Sequence, residues 1–186
     1  MHDEPRPTTR PIPADVDRRA RCVRLLTCDV DGVLTDGRIY MGDDGREWKA
    51  FNALDGVGIK MLAAAGVTVA WITGSKAPVV AHRARALGVF HLIQGADDKL
   101  APWEELRREL DLAPSACAHI GDDLPDVPLF ERCGLAIGVP HATAEVRARV
   151  HYVTRRDGGH GAVREACELI LAAQGTLAAG VAAWSG

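Results

Sequence analysis

Membrane-spanning apolar runs are missing from this 186-residue sequence: none approaches the ~20 residues a transmembrane helix needs, so no membrane span is predicted. Paired or metal-spaced cysteine is missing too. The five cysteines, Cys22, Cys28, Cys117, Cys133 and Cys167, are odd in number and form no C-x-x-C, which argues against a disulfide framework or a zinc knuckle and fits a reducing cytoplasm. Charge of one sign is not in excess. Lys and Arg number 22 against 25 Asp and Glu, a net charge of −3, whereas nucleic-acid binding usually wants a basic face. An anionic small molecule stays compatible with this balance if positive charge is gathered locally. The opening MHDEPRPTTRPIPADVDRRAR lacks the apolar stretch of a secretory signal. It reads as a frayed, Pro-rich lead-in over residues 1–20, with a short helix from Ala14 to Arg21.

What is present is enough apolar material for a core: 47% hydrophobic and 25% charged residues, in a chain the length of one domain. No repeat or composition break divides residues 21–186, which are read as a single domain. Val23–Asp29 is almost continuously apolar, as a strand covered on both faces should be. Arg38–Phe51 has two strand-like arms around Asp43-Asp44-Gly45, a hairpin signal. Apolar residues at helical spacing then run to Gly66, a natural C-cap, before a second buried strand at Val67–Ile72. Helices are predicted over Ala77–Leu87, Lys99–Leu110 and Gly161 to about Gln174, and strands over Val89–Ile93, Ala116–Ile120, Leu135–Val139 and His151–Thr154. An Ala/Gly-rich tail trails after the last helix. This alternation predicts an α/β fold, a Rossmann-like parallel sheet with helices on both faces.

In such sheets ligands sit beyond the carboxyl ends of the strands. The first strand ends in Asp29 and Asp31, the second in Thr73, and the fourth in Asp122, Asp123 and Asp126, while Lys99 opens a helix after the third. Several carboxylates share one pocket only with a cation, because like charges resist ionising together. Oxygen ligands without His or Cys favour Mg²⁺. Thr73 brings a hydroxyl, Gly74 and Ser75 bring backbone N–H groups leading into a helix, and Lys99 brings fixed positive charge. Together these are what a transferring phosphoryl group requires. Asp29, pinned at the strand end, is read as nucleophile, and Asp31, on the loop beyond, as the proton donor and acceptor.

The series D-V-D-G-V-L-T-D-G, I-T-G, a lone Lys and G-D-D-x-x-D resembles the haloacid dehalogenase superfamily of phosphohydrolases, motif by motif and in order. L-D-G-V-G-I-K at 54–60 and G-G-H-G-A-V-R-E at 158–165 narrow the resemblance to the 3-deoxy-D-manno-octulosonate 8-phosphate (Kdo-8-phosphate) phosphatases and their nine-carbon sugar-acid relatives, over Val23 to Gln174. The resemblance implies Mg²⁺ held by the Asp29 carboxylate, the Asp31 backbone carbonyl and Asp122, with Asp126 orienting Lys99. It implies sugar contacts from Asn52, Ala53, Leu54, Asp55, Gly56, Lys60 and Arg83, and a homotetramer. Between Asp36 and Thr73 there is room only for a hairpin and a helix, so no cap domain is expected. Water must still be excluded, which points to the Arg38–Phe51 hairpin of a neighbouring subunit as the cover. This chain has Ser75-Lys76 and Lys60 where those phosphatases commonly carry Arg, which bears on how a sugar carboxylate is gripped.

The remaining polar residues read more plainly. Asp36, Asp43 and Asp44 are turn residues, and Asp123 is either a neighbour of the metal ligands or a loop cap. Cys28 has no adjacent base and is read as inert packing. His82, His91, His119 and His151 lack metal spacing and are read as structural or surface groups. His160, between two glycines, and Arg164 are candidate substrate contacts. A phosphorylation-dependent receiver module shares the Asp, Thr, Lys and Mg²⁺ inventory, but its phospho-acceptor lies mid-chain, where this sequence has Thr73. A phosphomutase generally needs the cap that is lacking here.

Overall fold

The computed structural model describes residues 12–184. Helix α1 (Ala14–Arg21) forms where predicted, and it is no loose lead-in, since Val16 and Ala20 are buried in the core. Residues 1–11 lie outside the described part. Strand β1 (Leu25–Cys28) is apolar but for Thr27 and buried at every residue. The short strands β2 (Tyr40–Met41) and β3 (Glu47–Trp48) pair antiparallel, Tyr40 opposite Trp48, as the predicted hairpin. Helix α2 (Ala53–Ala64) begins at Asn52, whose side chain accepts from the Leu54 amide at 2.9 Å.

Strand β4 (Thr68–Thr73) and helix α3 (Pro78–Leu87) follow, the helix opening on Pro78 and closing on Gly88 at φ 74°. Strand β5 (His91–Gln94), helix α4 (Leu100–Glu109) and strand β6 (Cys117–Gly121) come next. One-turn helices α5 (Val127–Phe130) and α6 (Ala144–Arg147) flank strand β7 (Leu135–Gly138). Strand β8 (Tyr152–Val153) leads to helix α7 (Ala162–Ala173). The expected trailing tail is instead helical: α8 (Leu177–Ala182) lies against α2 closely enough that a Cβ on Gly180 would sit 3.1 Å from the Met61 methyl.

The six main strands form one sheet in the order β5-β4-β1-β6-β7-β8, and every pairing is parallel. Full burial of β1, β6 and β7 means both faces are covered, as the near-continuous apolar strands required. Trp71 and Trp103 are the largest side chains in the core. Glycine permits a close helix contact: a Cβ on Gly58 of α2 would sit 3.0 Å from Arg164 Cα of α7. No separate cap domain is present among the described residues; the hairpin alone rises beside the strand ends.

Candidate active site

The chain leaves β1 for β4 on one side and later returns to β6 on the other. The crevice between β1 and β6 is therefore a topological switch point, where a parallel sheet opens to a ligand. Asp29 stands at its lip, its amide donating to the Ile120 carbonyl at 3.0 Å. The loop beyond is wound tightly, with the amides of Leu34 and Thr35 both donating to the Val30 carbonyl at 3.0 Å. Gly32 holds φ at 90°, and a Cβ there would lie 2.1 Å from Asp122 Oδ2. Only glycine lets the two acidic loops approach so closely.

Lys99 is the hub of the buried charge, 5% exposed, its Nζ 2.8 Å from Asp29 Oδ1 and 2.7 Å from Asp126 Oδ1. Burial alone would lower the Lys99 pKa, but Asp29 and then Asp126 more than offset it and hold the ammonium charged. Burial would likewise raise Asp126, but the His119 hydrogen bond and the Lys99 charge prevail and hold it at about 2. Asp126 Oδ2 also accepts from the Asp122 amide at 3.1 Å. Asp123 caps the one-turn 3₁₀ segment Leu124–Asp126, accepting from the Leu124 amide at 2.8 Å, and it also lines the cleft over Asp29.

Asp29 and Asp122 are pushed the other way. Burial, then the Asp126 charge, raises both, Asp122 to about 6, against the pull of Lys99. Asp29, Asp122 and Asp126 each place a carboxylate oxygen within 4.8 Å of the others. Asp126 is already committed to Lys99, His119 and backbone amides. Asp29 and Asp122 remain, two hard oxygen donors whose ionisation a divalent cation would restore, and that donor set fits Mg²⁺. A cleft of about 460 Å³ opens over them, lined by Asp29, Asp31, Thr73, Ser75, Lys99 and Asp122. Thr73 Oγ1 accepts from the Ser75 amide at 3.0 Å and still has its own hydroxyl proton to donate. Gly74 is exposed at the same rim.

The residues expected to hold a sugar are not brought to this cleft. Ala53, Leu54 and Lys60 are exposed on α2, and none of them lines it. Asn52 Nδ2 donates to the Gly159 carbonyl at 3.1 Å. Asp55 is 1% exposed and turned inward, where Oδ1 accepts from the Arg164 amide at 2.7 Å at the start of α7. Gly56 makes room for Arg83, whose guanidinium lies 6.0 Å from the Phe51 ring centroid. Arg164 Nε is 2.7 Å from Glu168 Oε1 on its own helix, and the exposed His160 folds its Nδ1 back on the Gly158 carbonyl at 2.9 Å. Burial pushes the Cys28 thiol up, with the Cys167, Asp55 and Asp29 charges adding to it, in keeping with inert packing. Asp36 ties the base of the hairpin, accepting from the Tyr40 hydroxyl at 2.8 Å.

Three site residues escaped the sequence reading. Lys49 projects from the end of β3 with its side chain 3% exposed and pairs with both Asp31 and Glu47. Its signal was the alternation along the hairpin arm, since Trp48 between Glu47 and Lys49 is 68% exposed and Lys49 must face inward. His141 follows the end of β7, 3.3 Å from Asp157, and its proximity favours the ionised form of Asp122. The rule of inspecting every strand end would have found it. His119, read as structural or surface, is fully buried within β6 and contacts Asp126.

The sequence model of the haloacid dehalogenase-like hydrolase family matches residues 84–165. The 3-deoxy-D-manno-octulosonate 8-phosphate phosphatase KdsC of Yersinia pestis is 50% identical over 167 residues, covering 90% of this chain and 89% of that protein. A probable phosphatase from Pseudomonas syringae superposes with a TM-score of 0.91 at 49% identity, covering 94% of this chain and 99% of that one. The phosphatase from Moraxella catarrhalis, solved with magnesium, phosphate and KDO, superposes with a TM-score of 0.89 at 43% identity over 91% of this chain and 98% of that one. With half its residues shared along nine-tenths of its length, and the strand-end acids assembled around one lysine, this chain belongs to the haloacid dehalogenase-like phosphatases, in the 3-deoxy-D-manno-octulosonate 8-phosphate phosphatase family.

Proposed function

We propose that the chain hydrolyses 3-deoxy-D-manno-octulosonate 8-phosphate to the free sugar acid and phosphate, a step of lipopolysaccharide precursor synthesis, with Asp29 as nucleophile. The observation that carries the site assignment is Asp29 at the β1 terminus, 2.8 Å from the Lys99 ammonium. Asp29 attacks phosphorus in line, and the bond from phosphorus to the sugar oxygen breaks as the aspartyl-phosphate forms. Asp31 gives its proton to the departing alkoxide. It then takes a proton from the water that attacks the aspartyl-phosphate, which returns Asp29 and releases phosphate. Lys99 and the Thr73 hydroxyl neutralise and orient the phosphoryl oxygens, aided by the amides of Gly74 and Ser75. Asp29, the Asp31 carbonyl and Asp122 would hold Mg²⁺, which supplies charge neutralisation at the transferring group.

The sugar is recognised outside the phosphate cleft. Asn52, Ala53, Leu54, Lys60 and Arg83 lie outside the lining of the chain's own cleft, which suits a homotetramer in which one subunit's residues meet the substrate of another, while Asp55 and Gly56 are buried beneath them. Ile39, Met41 and Trp48, 74%, 69% and 68% exposed on the hairpin, are the apolar surface such a neighbour would cover. The cytoplasm is the compartment that this substrate and free cysteines imply.

Phosphate release with Mg²⁺ from Kdo-8-phosphate, set beside nine-carbon sugar-acid 9-phosphates, tests the reading. Faster release from the eight-carbon substrate is expected. Faster release from a nine-carbon acid would move the substrate to that relative, in line with Ser75 and Lys60 standing where Arg is common. No release from any of them, with a long-lived aspartyl-phosphate instead, would favour a receiver-like module. Asp29→Asn should lower turnover by more than about a thousandfold and Lys60→Ala far less; comparable losses would overturn the nucleophile assignment.

A further inference from the structure

Behind the cleft, Thr27 of β1 and His119 of β6 are register partners on neighbouring strands, and both are fully buried. The His119 Nε2 lies 3.0 Å from Asp126 Oδ1. An ionised carboxylate only accepts, so Nε2 carries the proton. Burial pushes the imidazole pKa down, against the pull of Asp126. Its Nδ1 lies 2.9 Å from Thr27 Oγ1, a hydroxyl that also sits 3.1 Å from the Ala118 carbonyl, and the Phe130 ring lies 5.3 Å away between centroids. The ring orientation is thus set from two sides.

Asp126 Oδ1 takes two donors, His119 Nε2–H and Lys99 Nζ, while Oδ2 takes backbone amides. The amides locate one oxygen, and the imidazole locates the other. Lys99 in turn reaches Asp29 at 2.8 Å. A hydrogen-bonded chain therefore runs from Thr27 through His119, Asp126 and Lys99 to Asp29. A partner that fixes the group holding a functional side chain often matters nearly as much as that side chain.

We propose that His119 is a positioning residue of the phosphatase reaction, its Nε2–H bond to Asp126 setting where the Lys99 ammonium stands against Asp29. The inference rests on the assignment of Asp29 as nucleophile. Lys99 has a flexible stem, and its charge helps turnover only when aligned with the phosphoryl oxygens in the transition state. The loss on removing His119 therefore falls on kcat rather than on KM.

The test uses the full chain with Mg²⁺ and Kdo-8-phosphate, comparing His119→Phe, His119→Asn and His119→Gln, with melting temperatures alongside. Phe fills the space without a donor, Asn places its amide near Nδ1, and Gln places its amide near Nε2. The Phe and Asn variants should lose about 10- to 100-fold in kcat with KM within about threefold, and Gln should recover to within about fivefold of the parent. A Phe variant within threefold of the parent in kcat, a loss confined to KM, or a Gln variant no better than Asn would overturn the proposal. Should the Phe variant fail to fold, the Gln and Asn pair decides alone, because a purely structural role gives both the same kcat. Asp29→Asn separates the two levels. If it stays active, the site assignment itself fails; if it is inactive while His119→Phe is unaffected, only the positioning role fails.

Discussion

Gly158 is packed so tightly on Gly32 that a Cβ at position 158 would lie 1.8 Å from the Gly32 carbonyl oxygen. The neighbouring Gly159 amide donates to the Val33 carbonyl at 3.0 Å. The glycine-rich loop thus works as a backstop for the segment carrying Asp31. Its contact is backbone against backbone, which no flexible side chain can relieve. Gly158→Ala should lower the melting temperature, as overpacking of this kind costs about 1–3 kcal/mol. It should also lower kcat by about 10- to 100-fold, because a displacement near 1 Å at reacting groups has that effect. Calorimetry with steady-state kinetics checks both, and an unchanged kcat would separate this loop from the chemistry.

Lys49 links the hairpin to the proton-transfer residue by pairing with Asp31 and Glu47. Lys49→Met keeps most of the stem and removes the charge. The hairpin should then exchange its amide protons faster over residues 40–48, and kcat/KM should fall by about tenfold, with Lys49→Arg intermediate. Unaltered exchange would show that the hairpin is held by something other than this pair.

Asp122 titrates near 6, raised by burial and then by the Asp126 charge. The metal needs the ionised carboxylate, so proton and Mg²⁺ compete, and affinity should climb as pH rises through about 6 and level off above it. Calorimetric titration of Mg²⁺ at about pH 5 and about pH 7.5 measures this directly. Chelation should abolish turnover, and equal affinity at the two pH values would remove Asp122 from the metal site.

Asp55 is a buried carboxyl whose Oδ2 has no hydrogen-bond partner among the described residues, and burial raises it from 3.8 to about 6 against the Arg164 amide, the Arg156 charge and the amides of Val163 and Gly161. A raised acid binds its proton more tightly in the folded chain than in the unfolded one. Its contribution to stability is therefore lost as pH rises between about 4 and 6. Asp55→Asn keeps an oxygen for the amides and removes the charge. Its melting temperature relative to the parent should improve from about pH 4.5 to about pH 7.5, with an upper bound of about 3 kcal/mol for a shift of this size. A constant difference across that range would mean that Asp55 does not titrate in the folded chain.

The polar residues at the strand ends were legible because their chemistry is local. Asp29, Thr73, Lys99 and Asp122 each follow or end a recognisable strand or open the helix behind one, and a parallel sheet gathers such positions at one edge. The substrate stretch was less legible. Asn52–Gly56 was recognised as a motif, yet Asp55 points inward to α7, because the face a helical residue presents depends on what packs against that helix. The helix at Leu177–Ala182 was hidden by an Ala/Gly-rich composition that gives little amphipathic pattern.

By itself the sequence determined the alternation of strands and helices, the order of the acids along them and the absence of room for a cap. These follow from periodicity and spacing along the chain. Only the tertiary structure decided that Lys49 closes on Asp31, that Gly158 braces Gly32, and that His119 stands behind Asp126 and Lys99. Gly32 and Gly158, like Thr27 and His119, are far apart in sequence, and their meeting depends on strand register and side-chain direction rather than on spacing along the chain.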